Sequence, residues 1–368
     1  MATIEDVARR AGVSRSTVSY ALSGKRTISR ETRERIEASI AELGFTPNAG
    51  ARALATSQKM VIGLFVQFFE DEFSPAMLQY VLPISDAARE AGYDILMVTE
   101  ADGAHAVKRI SGSEMIDGVI LLNVAHEDPR LPVMSSMRQP GSMVGLPRHP
   151  GGFDVFDLDF AEAGRILVDH LAERGHRDIV LITPREHVYE RGGAYAWRFS
   201  DAALRRAASY GIRVRSYFGE TQQPAVNRQI NEILDAQDGT ALIVHNDAVI
   251  AALPWVLASR GIRVPDDLSV VGIFSEDFGR MFSLPYTAVE SSPDKLGRLA
   301  VQALARRMQA PEDAGAPEVE LIAPCVTDRG STRSVLAAPH ACRHTRPRNT
   351  NLPISWQRGL LTTVDTYS

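Results

Sequence analysis

The chain has 368 residues, 45% of them hydrophobic and 23% charged, which is enough apolar sequence for one large core and a smaller second domain. Its apolar runs, such as residues 61–66, are far shorter than the roughly 18 residues of a membrane-spanning helix, and the N-terminus does not resemble a signal peptide. With only two cysteines, Cys325 and Cys342, the sequence favours a cytoplasmic protein with no membrane partner, no cofactor and no metal.

The charge is unevenly distributed along the chain. Residues 1–60 hold ten basic side chains against six acidic ones, whereas the whole chain carries a formal net charge of −5. A basic head on an acidic body is typical of a DNA-binding module joined to a module that does not bind DNA, because phosphate attraction is needed only at the contact face.

Three helices are predicted in the basic head. Thr3, followed by Asp6, has the spacing of a capping box at the start of a first helix that ends at Gly12. Ser14 caps a second, short helix over residues 15–22. Ser29 caps a third helix over residues 30–43, and Gly44 ends it.

The first two helices have the features of a helix-turn-helix. The turn between them is short, so the helices cross steeply and need a small residue where they touch, which is Ala8. The turn needs a residue that tolerates positive φ, which is Gly12, and the second helix supplies an aliphatic side chain, which is Val18. The second helix is then expected in the major groove, with base contacts from its outward side chains and phosphate contacts from the hydroxyls and cations beside them. The alternative is a three-helix bundle with ordinary polar surface groups. The predicted DNA-binding residues of the head are Thr3, Ser14, Arg15, Ser16, Thr17, Ser19, Tyr20, Lys25 and Arg26.

Several runs of residues in and after this head carry a family resemblance. They are Thr3-Ile4-Glu5-Asp6-Val7-Ala8, Ala11-Gly12-Val13-Ser14, Thr17-Val18-Ser19, Gly44-Phe45-Thr46-Pro47-Asn48 and Ala51-Arg52-x-Leu54. The string resembles the lactose/galactose repressor (LacI/GalR) family of transcriptional regulators. Many members carry Arg as the last base-reading residue of the recognition helix, whereas this chain has Tyr20, so its operator preference is its own.

A short amphipathic segment follows Pro47 and is too short to be a stable helix alone. The resemblance implies that this hinge folds on DNA, pairs with its twin in a homodimer and inserts Leu54 into the minor groove, with Arg52 beside it. An apolar wedge of this kind unstacks a base step and kinks the duplex. The alternative is a plain linker in which Leu54 has no such role.

From residue 61 onward, short apolar runs alternate with helical stretches, as parallel sheets covered by helices require. The number of strands suits two lobes better than one sheet. Strands are predicted over residues 61–66, 94–98, 118–122, 142–146, 179–183, 213–217, 241–244 and 268–273, and helices over residues 77–91, 162–174, 201–210, 227–236 and 248–260.

The family resemblance continues through this body and covers residues 2–334. It is carried by Arg174-Gly175-His176-Arg177, Asn246-Asp247, Val264-Pro265-x-Asp267-Leu268-Ser269-Val270-Val271-Gly272, Leu296-Gly297-Arg298-x-Ala300 and Arg329-Gly330-Ser331-Thr332. The implied fold is α/β: a three-helix head and a two-lobed, doubly wound domain like that of periplasmic binding proteins. We expect a head over residues 1–46, a hinge over 47–58, a two-lobed effector-binding and dimerisation domain over 59–334 and a disordered tail over 335–368.

Ligands of open α/β sheets bind beyond the carboxyl ends of the strands, so the loops that follow the strands predict the pocket. Those loops combine aromatic side chains, a cation and polar anchors, which suits a small polar effector such as a sugar or sugar derivative. His245 is expected to satisfy local hydrogen bonds rather than to bind a metal. The predicted effector-binding residues are Phe73, Asn123, Trp197, Arg198, Asn246, Asp247 and Glu276.

Two positions depart from the family pattern. Phe274 stands where members commonly carry an Asp that grips sugar hydroxyls, and after Arg198 the usual Gly-aromatic pair is absent. Plain hexoses are therefore expected to bind poorly, and ligands with a carboxylate, a phosphate or a larger apolar portion are favoured.

Two other classes of function are less consistent with the sequence than a regulator with operator DNA and a small molecule as partners. The predicted head argues against a binding protein without a regulatory role. An enzyme finds no support, because the sequence shows neither a Gly-rich phosphate loop nor a Gly-x-Ser-x-Gly motif, and a metal site from His340, Cys342 and His344 in the tail is disfavoured.

Overall fold

The structure, a computed structural model, describes residues 2–23, 27–45, 58–69, 73–236 and 239–336. The predicted DNA contacts Lys25, Arg26, Arg52 and Leu54 lie outside these residues, as do most of the predicted hinge and tail.

The head contains the three predicted helices, α1 (Ile4–Ala11), α2 (Arg15–Ser23) and α3 (Arg30–Leu43). The Thr3 hydroxyl accepts from the Asp6 amide at 3.3 Å, and the Asp6 carboxylate accepts from the Thr3 amide at 3.0 Å, so the predicted capping box is confirmed. Gly12 ends α1 with φ of 67°, in the left-handed region that glycine adopts without strain. Local sequence chemistry thus sets the helix boundaries of the head.

The three helices enclose a small apolar core. Val7, Ala8, Ala11, Val18 and Ile36 are buried together, so the small residue and the aliphatic side chain predicted at the crossing do meet there. On the surface, Arg10 of α1 binds both carboxylate oxygens of Glu42 of α3, at 2.9 and 2.5 Å. The core and this ion pair fix α1 against α3 and leave one side of α2 exposed.

The body contains two lobes, each built on a six-stranded sheet. The elements that come first along the chain belong to the N-terminal lobe. They are β1 (Val61–Phe65), α4 (Ser74–Glu90), β2 (Asp94–Val98), α5 (Gly103–Gly112), β3 (Gly118–Leu121), α6 (Arg130–Met134), β4 (Gly141–Val144) and β5 (Asp154–Leu158).

The elements that follow form the C-terminal lobe. They are α7 (Phe160–Glu173), β6 (Asp178–Thr183), α8 (Glu186–Glu190), α9 (Ala194–Ser209), β7 (Arg213–Phe218), α10 (Ala225–Ala236), β8 (Ala241–Val244), α11 (Asp247–Ser259), β9 (Ser269–Phe274), α12 (Glu276–Gly279) and β10 (Thr287–Glu290).

The last elements are shared between the lobes. Helix α13 (Pro293–Gln309) packs on β3, β4 and β5 of the N-terminal lobe, followed by a short 3-10 turn (Pro311–Asp313) and β11 (Val319–Ile322), which pairs in parallel with β5. Strand β12 (Val326–Thr327) then pairs antiparallel with β10 of the C-terminal lobe. The chain therefore crosses between the lobes three times, after β5, after β10 and after β11.

The sheet orders are β11-β5-β4-β3-β1-β2 and β12-β10-β9-β8-β6-β7. All pairs except that of β12 are parallel, and Ile62 of β1, for example, pairs with Ile95 and with Gly118. The predicted doubly wound α/β class with two lobes is confirmed. Because all strands but the last are parallel, their carboxyl ends gather at one edge of each sheet.

The structure has four strands that the sequence did not predict, namely β5, β10, β11 and β12. Strand β5 was missed because it carries two acids, Asp154 and Asp157, and yet every residue of the strand is buried. Arg307 of α13 compensates Asp154, with contacts of 2.5 and 2.8 Å, and Arg198 of α9 compensates Asp157. Two arginines that are distant in the sequence thus compensate the acids, which allows a segment with charged residues to form a buried strand.

Candidate functional site

The exposed side of α2 carries the residues predicted to read DNA. Arg15 and Ser16 are exposed, and Tyr20 is 37% exposed, whereas Val18 on the opposite side is fully buried. Arg15 contacts Glu5 of α1 at 3.4 Å, with both side chains more than 60% exposed, so this ion pair constrains it weakly. The arrangement brings Arg15, Ser16 and Tyr20 to a surface that a DNA groove can meet.

The hydroxyls at the start of α2 form a small network. The Ser14 hydroxyl accepts from the Thr17 amide at 3.1 Å, which confirms the predicted helix cap, and lies 2.7 Å from the Ser16 hydroxyl and 2.8 Å from that of Thr17. Ser19 is half-buried on α2, and Thr3 is exposed in the cap of α1. These hydroxyls and the start of α2 offer donors suited to phosphate oxygens.

A cavity of about 190 Å³ lies between the two lobes, at the carboxyl ends of the strands. Residues at or just beyond the ends of β1, β3, β4 and β5 of the N-terminal lobe line one side, and residues at or just beyond the ends of β6, β8 and β9 of the C-terminal lobe line the other. Helices α4 and α9 contribute further side chains. Both lobes therefore supply walls to the same cavity, as the strand-end rule predicts.

Six aromatic side chains contribute to the cavity wall. Three of its rings form one cluster, with the Phe160 and Tyr195 centroids 5.5 Å apart and the His245 ring 5.8 and 5.6 Å from them. The aromatic side chains in the wall are Phe68, Phe73, Tyr80, Phe160, Tyr195 and Phe274.

Asp247, the first residue of α11, lines the cavity and is half-buried. Burial raises the pKa of its carboxyl to about 7, because little water reaches the charged form. Its neighbour Asn246 is buried and is used structurally, since its side-chain oxygen caps α11 at the Val249 amide, 3.0 Å away. The side chain of Asp247 is thus the acidic group that α11 offers to a ligand.

His245 also lines the cavity, at the end of β8, with its ring packed on Phe199 at 4.4 Å. Burial lowers the pKa of its imidazole to about 3, so the ring is neutral at physiological pH. Its Nδ1 has no hydrogen-bond partner among the residues that the structure describes, so the local hydrogen bonds expected of His245 are not seen at this atom.

Arg198 of α9 donates a hydrogen bond to Asp157 of β5, so an ion pair joins the two lobes beside the cavity. Asp157 is almost fully buried and also accepts from the amides of Leu146 and Leu158, each at 2.9 Å. Burial raises the pKa of the Asp157 carboxyl, and the Arg198 charge and hydrogen bond oppose that rise. The Arg198 guanidinium also lies 5.6 Å from the centroid of the Phe160 ring.

Three further contacts join the lobes near the cavity. Ala125, after β3, forms a β-bridge with Gly193 before α9, and the His126 amide donates to the Gly192 carbonyl at 2.7 Å. The Arg191 guanidinium lies 3.8 Å from the centroid of the Phe69 ring, a cation–π contact between the lobes. These contacts hold the two walls of the cavity together in this arrangement.

A buried ion pair that the sequence did not reveal supports the N-terminal wall. Arg130 is 2% exposed and binds Asp128 at 2.6 Å, and it also donates to the carbonyls of Leu122 and Asn123, each at 3.1 Å. Asp128 in turn accepts from the Ala125 amide at 3.0 Å. The pair therefore satisfies the backbone after β3 and positions Asn123, which lines the cavity.

Four of the seven predicted effector-binding residues line the cavity, namely Phe73, Asn123, Asn246 and Asp247. Arg198 is not in the wall, because its guanidinium is engaged by Asp157. Trp197 was expected in a loop but lies on α9, where its ring packs on Tyr189 at 5.4 Å and its indole N–H donates to the Tyr189 carbonyl at 3.4 Å. Glu276 pairs with Arg280 at 2.9 Å and is also outside the wall.

Comparison with known proteins gives two family matches. Residues 3–48 match the model of bacterial regulatory proteins, lacI family, and residues 168–332 match the periplasmic binding protein-like domain. The HTH-type transcriptional regulator CelR of Thermobifida fusca is 30% identical over 317 residues, which cover 83% of this chain and 92% of CelR. The chain belongs to the LacI family.

This LacI-family protein is thus a DNA-binding transcriptional regulator with a ligand-binding domain, and the predicted family is confirmed. Another similar relative, the HTH-type transcriptional repressor PurR of Glaesserella parasuis serovar 5, is 25% identical over 91% of this chain and 99% of its own length. These relatives are named as regulators rather than as enzymes.

Two solved structures show the same fold. A complex of the transcriptional regulator CelR with cellobiose has 25% identity and a TM-score of 0.61, and covers 90% of this chain and 100% of its own. A Lac repressor dimer bound to operator and the anti-inducer ONPF has 23% identity and a TM-score of 0.73, and covers 90% of this chain and 99% of its own.

The described residues contain no helix suited to span a membrane and no cluster of metal-ligating side chains. None of their helices is long and apolar enough to cross a membrane. They also contain no group of three or more His, Cys, Asp or Glu side chains that could hold a metal ion.

Proposed function

We propose that this regulator is a homodimeric repressor whose affinity for an inverted-repeat operator is controlled by a small polar, carbohydrate-like effector bound between the two lobes. The observation that carries the proposal is the cavity itself, because its walls come from the strand ends of both lobes. A ligand that contacts both walls binds best to one arrangement of the lobes. Its binding energy is then available to shift the arrangement that the DNA-binding heads require.

The cavity is suited to a polar ring-shaped molecule. Aromatic faces from both lobes are available for C–H surfaces, while Asn123 and Asp247 provide polar contacts from opposite sides. The cellobiose complex of CelR supports a carbohydrate-like ligand by analogy. Phe274 lines the cavity where the family commonly has an acid, so plain hexoses remain expected to bind poorly.

The DNA contacts proposed for the head follow from the exposure of α2. Base-edge contacts are proposed for Arg15, Ser16 and Tyr20. Phosphate contacts are proposed for Thr3, Ser14, Thr17 and Ser19, and the sequence alone also predicts them for Lys25 and Arg26. Arg52 and Leu54 are proposed to act in the minor groove.

Exposed apolar side chains support a homodimer. Leu78 and Leu82 lie one turn apart on α4 of the N-terminal lobe, 44% and 62% exposed. On the C-terminal lobe, Trp255 of α11 and Met281 after α12 are 65% and 70% exposed. Large apolar side chains exposed to this degree favour a protein interface, and a second copy would bring two DNA-binding heads to one operator.

Selection of bound sequences from a random DNA pool, with the full-length protein, tests the proposal. We expect enrichment of an inverted repeat, bound by a species of twice the chain mass in native mass spectrometry. Enrichment of a single half-site by a monomer would contradict the dimeric repressor.

A further inference from the structure

The cavity has one charged group whose charge is not compensated. Asp157, in its wall, is paired with Arg198, and Arg185, also in its wall, is paired with Glu220 at 3.2 Å. The side chain of Asp247 forms no hydrogen bond or ion pair among the residues that the structure describes, and burial alone shifts its pKa. When Asp247 ionises, the cavity wall therefore carries an excess negative charge.

Most of the titratable groups around Asp247, on its own lobe and on the facing one, carry no positive charge. Burial raises the pKa of both Tyr80 of α4 and Tyr195 of α9, so both phenols are uncharged. His245, with a pKa of about 3, is neutral, and Glu290 of β10 is a further acid nearby, with its own pKa raised by burial. His187 of α8 completes the titratable wall.

The rest of the wall is suited to a cation. Six aromatic rings line the cavity, and the electron-rich face of an aromatic ring attracts ammonium groups, most strongly where water is excluded. A carboxylate among aromatic faces would bind a cationic nitrogen by charge and by cation–π contact together.

An anionic ligand, which the sequence alone favoured, has less support in this structure. The sequence drew that preference from Phe274 and offered Arg198 as the cation of the site, but the Arg198 guanidinium binds Asp157. The Nε and Nη1 atoms of Arg198 are buried without hydrogen-bond partners, and the residue is not in the cavity wall. A carboxylate or phosphate in the cavity would instead lie near Asp247.

We infer that the effector carries a protonated or quaternary nitrogen, which Asp247 and the aromatic wall of the cavity recognise. This inference rests on the proposed function, since it assumes that the effector binds between the lobes. An amino sugar and an organic ammonium ion share this chemistry, and the probes below separate them.

Matched pairs of probes test the charge directly. Choline and its neutral carbon isostere dimethylbutanol have nearly the same shape, and glucosamine and glucose differ at one substituent. By calorimetric titration at pH 7, where choline is permanently charged and most glucosamine is protonated, we expect at least one cation to bind at least tenfold more tightly than its neutral partner. Equal binding within both pairs, or no binding of either cation, would overturn the inference.

The Asp247→Asn variant tests whether the Asp247 carboxylate is the group that recognises the charge of the ligand. We expect it to lose at least tenfold in affinity for the preferred cation and little for the neutral partner. Affinity of the wild-type protein for that cation should rise as the pH increases towards about 7, because Asp247 must be ionised. Above pH 7 the affinity should level off for choline, whose charge does not titrate, and should fall for glucosamine, which loses its proton. An unchanged affinity in the variant would assign the charge recognition elsewhere and contradict the inference.

Folding of the variant is checked without any ligand. Because the folded pKa of Asp247 is raised, its ionisation destabilises the folded state as the pH rises from about 4 to about 7. Asp247→Asn removes that cost, so its melting temperature at pH 8 should equal or exceed that of the wild type. A large loss of melting temperature at pH 8 would contradict the uncompensated charge on which the inference depends.

A second variant separates this inference from the proposed function. Ala76 of α4 lines the cavity, so Ala76→Trp should fill it and abolish binding of both members of a pair. If neutral probes bind as tightly as cations, and Ala76→Trp abolishes the binding of both kinds of probe, the effector site is supported and the inference fails. If Ala76→Trp changes no binding, the proposed effector site itself is wrong.

Discussion

The guanidinium of Arg198 in the C-terminal lobe binds the carboxylate of Asp157 in the N-terminal lobe, beside the cavity that both lobes line. Asp157 belongs to a strand whose residues are all buried, so its charge depends on this partner and on two backbone amides. The ion pair therefore contributes to the relative placement of the lobes, and its Asp157 partner faces the cavity in which the effector is proposed to bind.

Replacement of one partner of this ion pair should cost more than replacement of both. Arg198→Met leaves the buried Asp157 carboxylate uncompensated and should lower the free energy of unfolding by about 3 kcal/mol. The double variant Arg198→Met with Asp157→Asn should recover part of that loss. Urea unfolding of the four proteins completes a double-mutant cycle, and a double variant that is less stable than Arg198→Met would contradict the coupling.

Acid should destabilise the protein through its buried histidines. Burial lowers the pKa of His170 to about 4, and its Nε2 lies 2.9 Å from the Thr332 hydroxyl. The unfolded chain takes up a proton near pH 6.5 and the folded chain does not, so stability is present above pH 6.5 and is lost as the pH falls towards about 4. The expected slope is up to about 1.4 kcal/mol per pH unit.

The variant His170→Gln should flatten this slope between pH 6.5 and 4, whereas His105→Gln, at an exposed position, should not. Melting temperatures across that pH range measure the difference. The same slope in all three proteins would show that the acid sensitivity arises elsewhere.

Arg15 on the exposed side of α2 should carry base discrimination. Arg15→Ala should relax the preference at one position of each half-site by about 1–3 kcal/mol, since a good base contact is worth that much. Arg165→Ala removes the same charge from an exposed site of the C-terminal lobe and is the matched control. Competition assays with operator and random DNA measure both, and equal losses on the two DNAs for Arg15→Ala would refute a base contact.

Asp117 should anchor the chain where it enters the N-terminal lobe. Its carboxylate accepts from the backbone amides of Lys59 and Met60, at 3.0 and 2.6 Å, directly after the predicted hinge. Asp117→Ala frees this backbone, so operator affinity should fall several-fold while the ligand affinity of the cavity is kept. Asp86→Ala, at an exposed site of α4, is the control, and an operator affinity equal to the control would rule out the anchor.

The parts of the fold that the sequence predicts well are those set by interactions between residues close in sequence. The capping box of Thr3 and Asp6 and the left-handed Gly12 act within a few residues, so the helices of the head were predictable to within a residue. Helix α9, in contrast, begins after Gly193, which offers no side-chain cap, and its first turns were predicted as loop. Trp197 was assigned to the effector site for that reason.

The cavity was predictable only in part. The strand-end rule placed Asn123, Asn246 and Asp247 correctly at its wall, because that rule depends on topology alone. Tyr80 and Tyr195 lie on helices, and which of their faces meets the cavity depends on how the two lobes pack. The partner of Asp157 lies 41 residues away, and no local pattern reveals that Arg198 is already engaged.

The central claim is that the cavity between the lobes controls operator binding. Fluorescence anisotropy of labelled operator, with and without the tightest ligand found by titration, tests it most directly in the wild type and in Ala76→Trp. We predict that the ligand changes the operator affinity of the wild type by at least fivefold, the lower range of allosteric couplings, and leaves that of Ala76→Trp unchanged. An equal response in both proteins, or ligand binding in the wild type with no change in operator affinity, would contradict the account.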